Sequence, residues 1–101
     1  MTAKIKKLKA FDPADYLDDP KAIAAYLEEA FSTGDAKFIA DAMGVVARAS
    51  GMSEIARATG LSRESLYKAL SADGNPELTT VLRVIRALGL KLAVEPQKLS
   101  T

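Results

Sequence analysis

The sequence predicts an all-α fold, five helices packed as one bundle, followed by a single short strand. Three observations support this. An aspartate or asparagine stands directly before proline at Asp12-Pro13, Asp19-Pro20 and Asn75-Pro76. Each pair supplies a capping side chain and then the residue that loses nothing by lacking an N–H in the first helical turn. Between these marks apolar residues recur three and four apart, the spacing of a buried helix face. Only Lys91-Leu92-Ala93-Val94-Glu95, closed by Pro96, alternates polar and apolar as a strand does.

Taken in order, residues 1–10 carry Lys4, Lys6, Lys7 and Lys9 without an acid and read as a basic arm. Asp12-Pro13 opens a short turn to about Leu17, and Asp19-Pro20 opens a helix to about Phe31 with Ile23, Leu27, Ala30 and Phe31 on one face. Gly34 stops it. Asp35 caps the next helix, whose stripe is Ile39, Ala42, Met43, Val46 and Ala47, and Gly51 ends it. Two short helices follow, at about 53–59 and 63–71. Asn75-Pro76 then starts a helix to about Leu88, with Leu78, Val81, Leu82, Ile85 and Leu88 expected on its buried side. Gly89 is suited to a left-handed C-terminal position, and Leu90 to the hydrophobic contact that accompanies it. There are no internal repeats. One domain spans residues 11–96, and residues 97–101 read as a tail.

Composition narrows the function. With 101 residues, 49% hydrophobic and 27% charged, one folded domain is expected. No apolar run approaches the roughly 18–20 residues that span a bilayer. The first ten residues lack the apolar core and cleavage site of a secretory signal. A cytoplasmic protein with no membrane association is the expectation. The absence of Cys removes disulfides and thiolate metal sites, and the absence of His removes His-based triads, His-ligated zinc and a base poised near neutrality. A binding protein without cofactor or metal is expected, rather than an enzyme.

The net charge of +1 hides an uneven distribution. Residues 11–35 hold Asp12, Asp15, Asp18, Asp19, Glu28, Glu29 and Asp35 against Lys21 alone, a net of −6, while residues 51–101 hold seven basic and five acidic residues. Two faces with different partners would account for this. Solvated helix surfaces would account for it equally well, and charge alone leaves both open.

The most informative stretch is GMSEIARATGLSRESLYKALS, residues 51–71, which fits a helix-turn-helix at about 52–71. That motif needs a small residue where its helices cross, and Ala56 is there. It needs a residue comfortable at positive φ in the turn, and Gly60 follows four positions later. Ile55, Leu61, Leu66 and Ala69 have the spacing to lock the two helices together, and Ser62 is placed to cap the second by accepting from the N–H of Glu64 or Ser65. Thr59 stands where an apolar residue is more usual. A helical hairpin that only packs is the competing reading.

Docked in the usual way, the second helix puts its N-terminal residues against base edges in the major groove. Ser62, Arg63, Glu64, Tyr67 and Lys68 would then face the DNA. Arg63 suits guanine O6 and N7, and Glu64 suits a cytosine amino group. Ser53, Ser65, Ser71 and Asn75 suit phosphate contacts. Within residues 51–75, Arg57, Arg63 and Lys68 are balanced by Glu54, Glu64 and Asp73, so one copy should bind DNA weakly. A homodimer on a two-fold operator would remedy that, and pairing would also cover the free edge of the strand at 91–95. The segment from Lys4 to Lys9 is a candidate second strand for that sheet, or an arm on backbone phosphates.

These residues also carry a resemblance. The run FDPADYL at residues 11–17, GLSRESLYKALS at 60–71, GNPEL at 74–78 and LGLKL at 88–92 resemble the HigA-like antidotes of type II toxin–antitoxin (addiction) modules, with a Cro/repressor-type helix-turn-helix. The likeness extends from Phe11 to Pro96. It implies a DNA-binding antitoxin that neutralises a small basic RelE/ParE-like toxin by direct binding and represses its own operon as a dimer on double-stranded operator DNA. The acidic segment would suit such a toxin by charge, making Asp15, Asp18, Asp19, Glu28 and Glu29 candidate contacts. For Asp12 and Asp19 helix capping is the competing role. A stand-alone Cro-like repressor with no toxin partner is the alternative.

Overall fold

Asp19 begins the described part of the chain in extended backbone (φ −142°, ψ 160°), and its carboxylate accepts from the Ala22 N–H at 2.8 Å, with Pro20 as the first helical residue. The cap-then-proline device therefore works here as its chemistry requires. The computed structural model describes residues 19–97. Within them the chain forms α1 (Pro20–Ser32), α2 (Ala36–Ser50), α3 (Met52–Thr59), α4 (Arg63–Ala69) and α5 (Leu78–Ala87). The basic arm, the turn expected at 13–17 and residues 98–101 lie outside the described residues.

The Asp35 carboxylate starts α2 by accepting from the N–H groups of Lys37 and Phe38, at 3.0 and 3.3 Å. Ala42, Met43, Val46 and Ala47 are buried as the stripe requires, with Ile39 half-buried. Ala40, Gly44 and Val45 are buried as well, so α2 is enclosed on nearly every side through its middle. Small side chains allow this, because Ala40, Ala42, Gly44 and Ala47 let neighbouring elements approach. The closest approach is at Gly44, where a Cβ would stand 2.1 Å from the Leu70 carbonyl oxygen. α2 packs against α1 through Ile23, Leu27 and Ala30, and against α3. Gly51, at φ 111°, is the single residue that joins α2 to α3.

The last helix differs from expectation at its start. α5 begins at Leu78 with Glu77 as its N-cap and no side-chain cap bond, so Asn75-Pro76 does not open it. The chain is committed elsewhere at this point, since Gly74 lies so close to the carbonyls of Lys68 and Ala69 that a Cβ would meet both. α4 correspondingly ends at Ala69 rather than Ser71. The buried side of α5 is Val84, Ile85 and Leu88, with Val81 partly covered, whereas Leu78 and Leu82 are 69% and 45% exposed. At 100° per residue Leu82 lies about 110° from the centre of the buried stripe, which explains why spacing alone overextended it.

The C-terminus of α5 closes as expected. Gly89 has φ 79°, its N–H donates to the Arg86 carbonyl at 2.9 Å, and the Leu90 N–H donates to the Ile85 carbonyl at 3.1 Å. These are the two bonds of a Schellman closure, and Leu90 packs on the core. The strand expected at 91–95 does not form, and the described residues contain no strand. A strand needs a partner strand for its backbone groups, and none of the described segments supplies one.

Candidate nucleic-acid interface

α3 and α4 are joined by residues 60–62, and each feature assigned to that turn is present. Gly60 is left-handed (φ 78°, ψ 10°), and its N–H donates to the Ala56 carbonyl at 2.9 Å. Ser62 is extended, its Oγ accepts from the Ser65 N–H at 3.0 Å, and its hydroxyl donates to Ser65 Oγ at 3.0 Å. Ile55, Ala56 and Leu66 are buried, with Leu61 and Ala69 half-buried. Thr59 is 3% exposed, and its hydroxyl donates to the Ala56 carbonyl at 3.0 Å. That bond satisfies the polar group a buried threonine brings, so the unusual residue fits.

α4 is tethered by its inner side chains and its far end. Leu66 is fully buried and Leu70 is 2% exposed. Around the helix from them Arg63, Glu64, Tyr67 and Lys68 are all exposed, and helical geometry places the four within an arc of about 140° whose centre lies about 130° from Leu66. Tyr67 keeps 42% of its surface in solvent. Ser62 and Ser65 are exposed at the start of the same helix. Ser53 is exposed in the first turn of α3 and Asn75 in the loop before α5. Ser71 is half-buried, its hydroxyl donating to the Lys68 carbonyl at 3.0 Å. The structure thus gathers six of the candidate residues at and beside α4, with Ser53, Ser71 and Asn75 on flanking segments.

The acidic candidates divide differently. Asp15 and Asp18 lie outside the described residues. Asp19 is occupied as the α1 cap. Glu28 and Glu29 are exposed on the same helix, and Glu28 lines a groove of about 470 Å³ between α1 and the 90–95 segment, alongside Leu27, Phe31, Leu92 and Val94. Among the described residues no cluster of carboxylates is placed to hold a metal ion, and no helix is long and apolar enough to cross a membrane.

Three residues that shape this region were not identified by the sequence reading. Leu70 lies one residue beyond α4 and is held in the core. Gly44 carried a legible signal, since glycine inside a helical pattern marks a close approach. Arg83 carried none. Its Nη1 donates to the Thr59 carbonyl at 3.1 Å across 24 residues of sequence.

Together these features define a small protein, with five helices among the described residues, that roots a short helix in its core and turns a polar, partly aromatic surface outward. The chain belongs to the family described as probable addiction module antidote protein, whose model matches residues 7–96. Membership in that family implies the antidote, or antitoxin, role in an addiction module, with a toxin as the partner. An uncharacterized protein of Haemophilus influenzae is 43% identical over 93 residues, which cover 92% of this chain and 96% of that relative. No solved structure matches the chain.

Proposed function

We propose that the chain is a DNA-binding antitoxin of HigA-like type, in which α3, residues 60–62 and α4 act as a Cro/repressor-type helix-turn-helix. It neutralises a RelE/ParE-like toxin by direct binding and represses its own operon as a dimer. It acts by binding rather than by catalysis, in the cytoplasm. The observation that carries the DNA-binding half is the two-sidedness of α4, with Leu66 and Leu70 in the core and Arg63, Glu64, Tyr67 and Lys68 exposed.

In this reading α4 enters the major groove. Arg63 donates bidentately to a guanine, Glu64 accepts from a cytosine amino group, and Tyr67 and Lys68 meet base edges or backbone. Ser53, Ser71 and Asn75 contact phosphates from either side. The balanced charge of residues 51–75 makes the affinity of one copy low, and two copies on a palindromic site double the number of contacts. The toxin is met on a separate acidic surface, to which Glu28 and Glu29 contribute, so binding the toxin and binding DNA use different faces. Family membership favours this reading over a repressor without a toxin.

The test is a titration of the purified chain against a duplex from directly upstream of its own reading frame, and against a scrambled duplex of equal length and composition. A preference of at least about a thousandfold for the first supports the proposal. Equal affinity for both would refute the operator-binding half.

A further inference from the structure

α4 is only seven residues long, so its orientation is set by what holds it from outside: Leu66 and Leu70 in the core, and the turn that launches it. That turn begins at the C-terminus of α3, where the last carbonyls have no partner within the helix. The Ala56 carbonyl is well supplied, accepting from the N–H groups of Gly60 and Leu61 and from the Thr59 hydroxyl. The Thr59 carbonyl accepts instead from Arg83 Nη1 of α5. The same nitrogen lies 3.9 Å from the position a Gly60 Cβ would take, so the guanidinium stands beside the peptide where the chain turns left-handed. Its positive charge meets the negative end of the α3 dipole, which strengthens the bond. The clamp has a fixed base, because α5 packs on α3 and the two residues after Arg83, Val84 and Ile85, are buried.

We propose that Arg83 is a positioning residue for DNA recognition. It ties the Thr59–Gly60 turn to α5 and so sets the angle at which α4 offers Arg63 and Tyr67 to the groove. This rests on the DNA-binding reading above. A small rotation at the turn moves both side chains out of register with base edges, while leaving the charge that attracts the backbone largely in place.

Arg83→Met removes the donors and keeps most of the stem. It is compared with wild type in operator and scrambled-duplex affinity over a salt series, in thermal midpoint, and in amide hydrogen exchange of the free protein. Operator affinity is expected to fall about tenfold, the size of one lost base contact, with scrambled-duplex affinity and the salt slope nearly unchanged. Exchange is expected to accelerate at Gly60 and Leu61 and not across the domain. Equal losses on both duplexes, with a salt slope shallower by about one, would make Arg83 a phosphate contact and overturn the proposal. A lower thermal midpoint with operator preference intact would reduce it to a packing contribution and overturn it also. Arg83→Gln carries the same readouts should Arg83→Met fail to fold. A wild-type chain without operator preference would instead refute the DNA-binding reading. Exchange at Gly60 and Leu61 would then still decide whether the clamp exists.

Discussion

Replacing Gly44 with alanine sets two effects of opposite sign against each other, and the structure decides between them. In an ordinary helix interior alanine is favoured over glycine by about 1 kcal/mol. At Gly44 the new Cβ would stand 2.1 Å from the Leu70 carbonyl oxygen and 3.2 Å from its carbon. Non-bonded carbon and oxygen come no closer than roughly 3.2 Å, so about 1 Å of movement is required. The obstacle is backbone, and it is held: the Leu70 N–H donates to the Leu66 carbonyl at 2.9 Å, and the Leu70 side chain is buried. Overpacking of this kind costs about 1–3 kcal/mol, and the rigid obstacle places Gly44→Ala at the upper end. Setting about 3 against about 1 leaves a net loss near 2 kcal/mol, or a fall in Tm of roughly 8–16 °C for a domain of this size. Urea unfolding followed by circular dichroism, with the slope checked for constancy, measures it directly. A variant more stable than wild type by about 1 kcal/mol would show helix propensity acting alone, and would refute the close approach of α2 to the end of α4.

Three further substitutions test other parts of the account. Ser62→Ala removes the α4 cap and should cost about 1 kcal/mol, with faster amide exchange at Ser65 in particular; unchanged exchange there would mean the cap bond is dispensable. Arg63→Ala should cost about 1–3 kcal/mol in operator binding and relax specificity at one base pair, whereas equal loss on scrambled DNA would assign Arg63 to the phosphates. Leu66→Asp would put a carboxylate in a fully buried position and should abolish the cooperative unfolding transition; a stable folded variant would contradict the assigned register of α4.

What the sequence made legible is local chemistry. Asp19, Asp35 and Ser62 accept from amides two or three residues along, and Gly60 and Gly89 adopt the left-handed angles their positions demand. Each depends on a handful of neighbouring residues, so each can be read without knowing the fold. Features that depend on distant segments were not legible. Asn75-Pro76 has the right chemistry for a helix start, but the approach of Gly74 to the end of α4 delays α5 to Leu78. Leu78 and Leu82 match a helical apolar stripe, yet which part of that stripe is covered depends on how α5 lies against α3. Arg83 reaches Thr59 across 24 residues, and no local pattern announces such a bond. For the candidate site, the outward residues of α4 followed from helical spacing around Leu66. The alternation at 91–95 does not become a strand, because period alone provides no partner.

The most direct test of the central claim, a dimeric antitoxin that joins its toxin to its operator, is the solution mass of the chain. It would be measured alone, co-expressed with the product of the neighbouring reading frame, and again after adding the upstream duplex. The account predicts a dimer that takes up the neighbouring protein and still binds the duplex with α4. A chain that stays monomeric, ignores its neighbour and leaves the duplex free would contradict it.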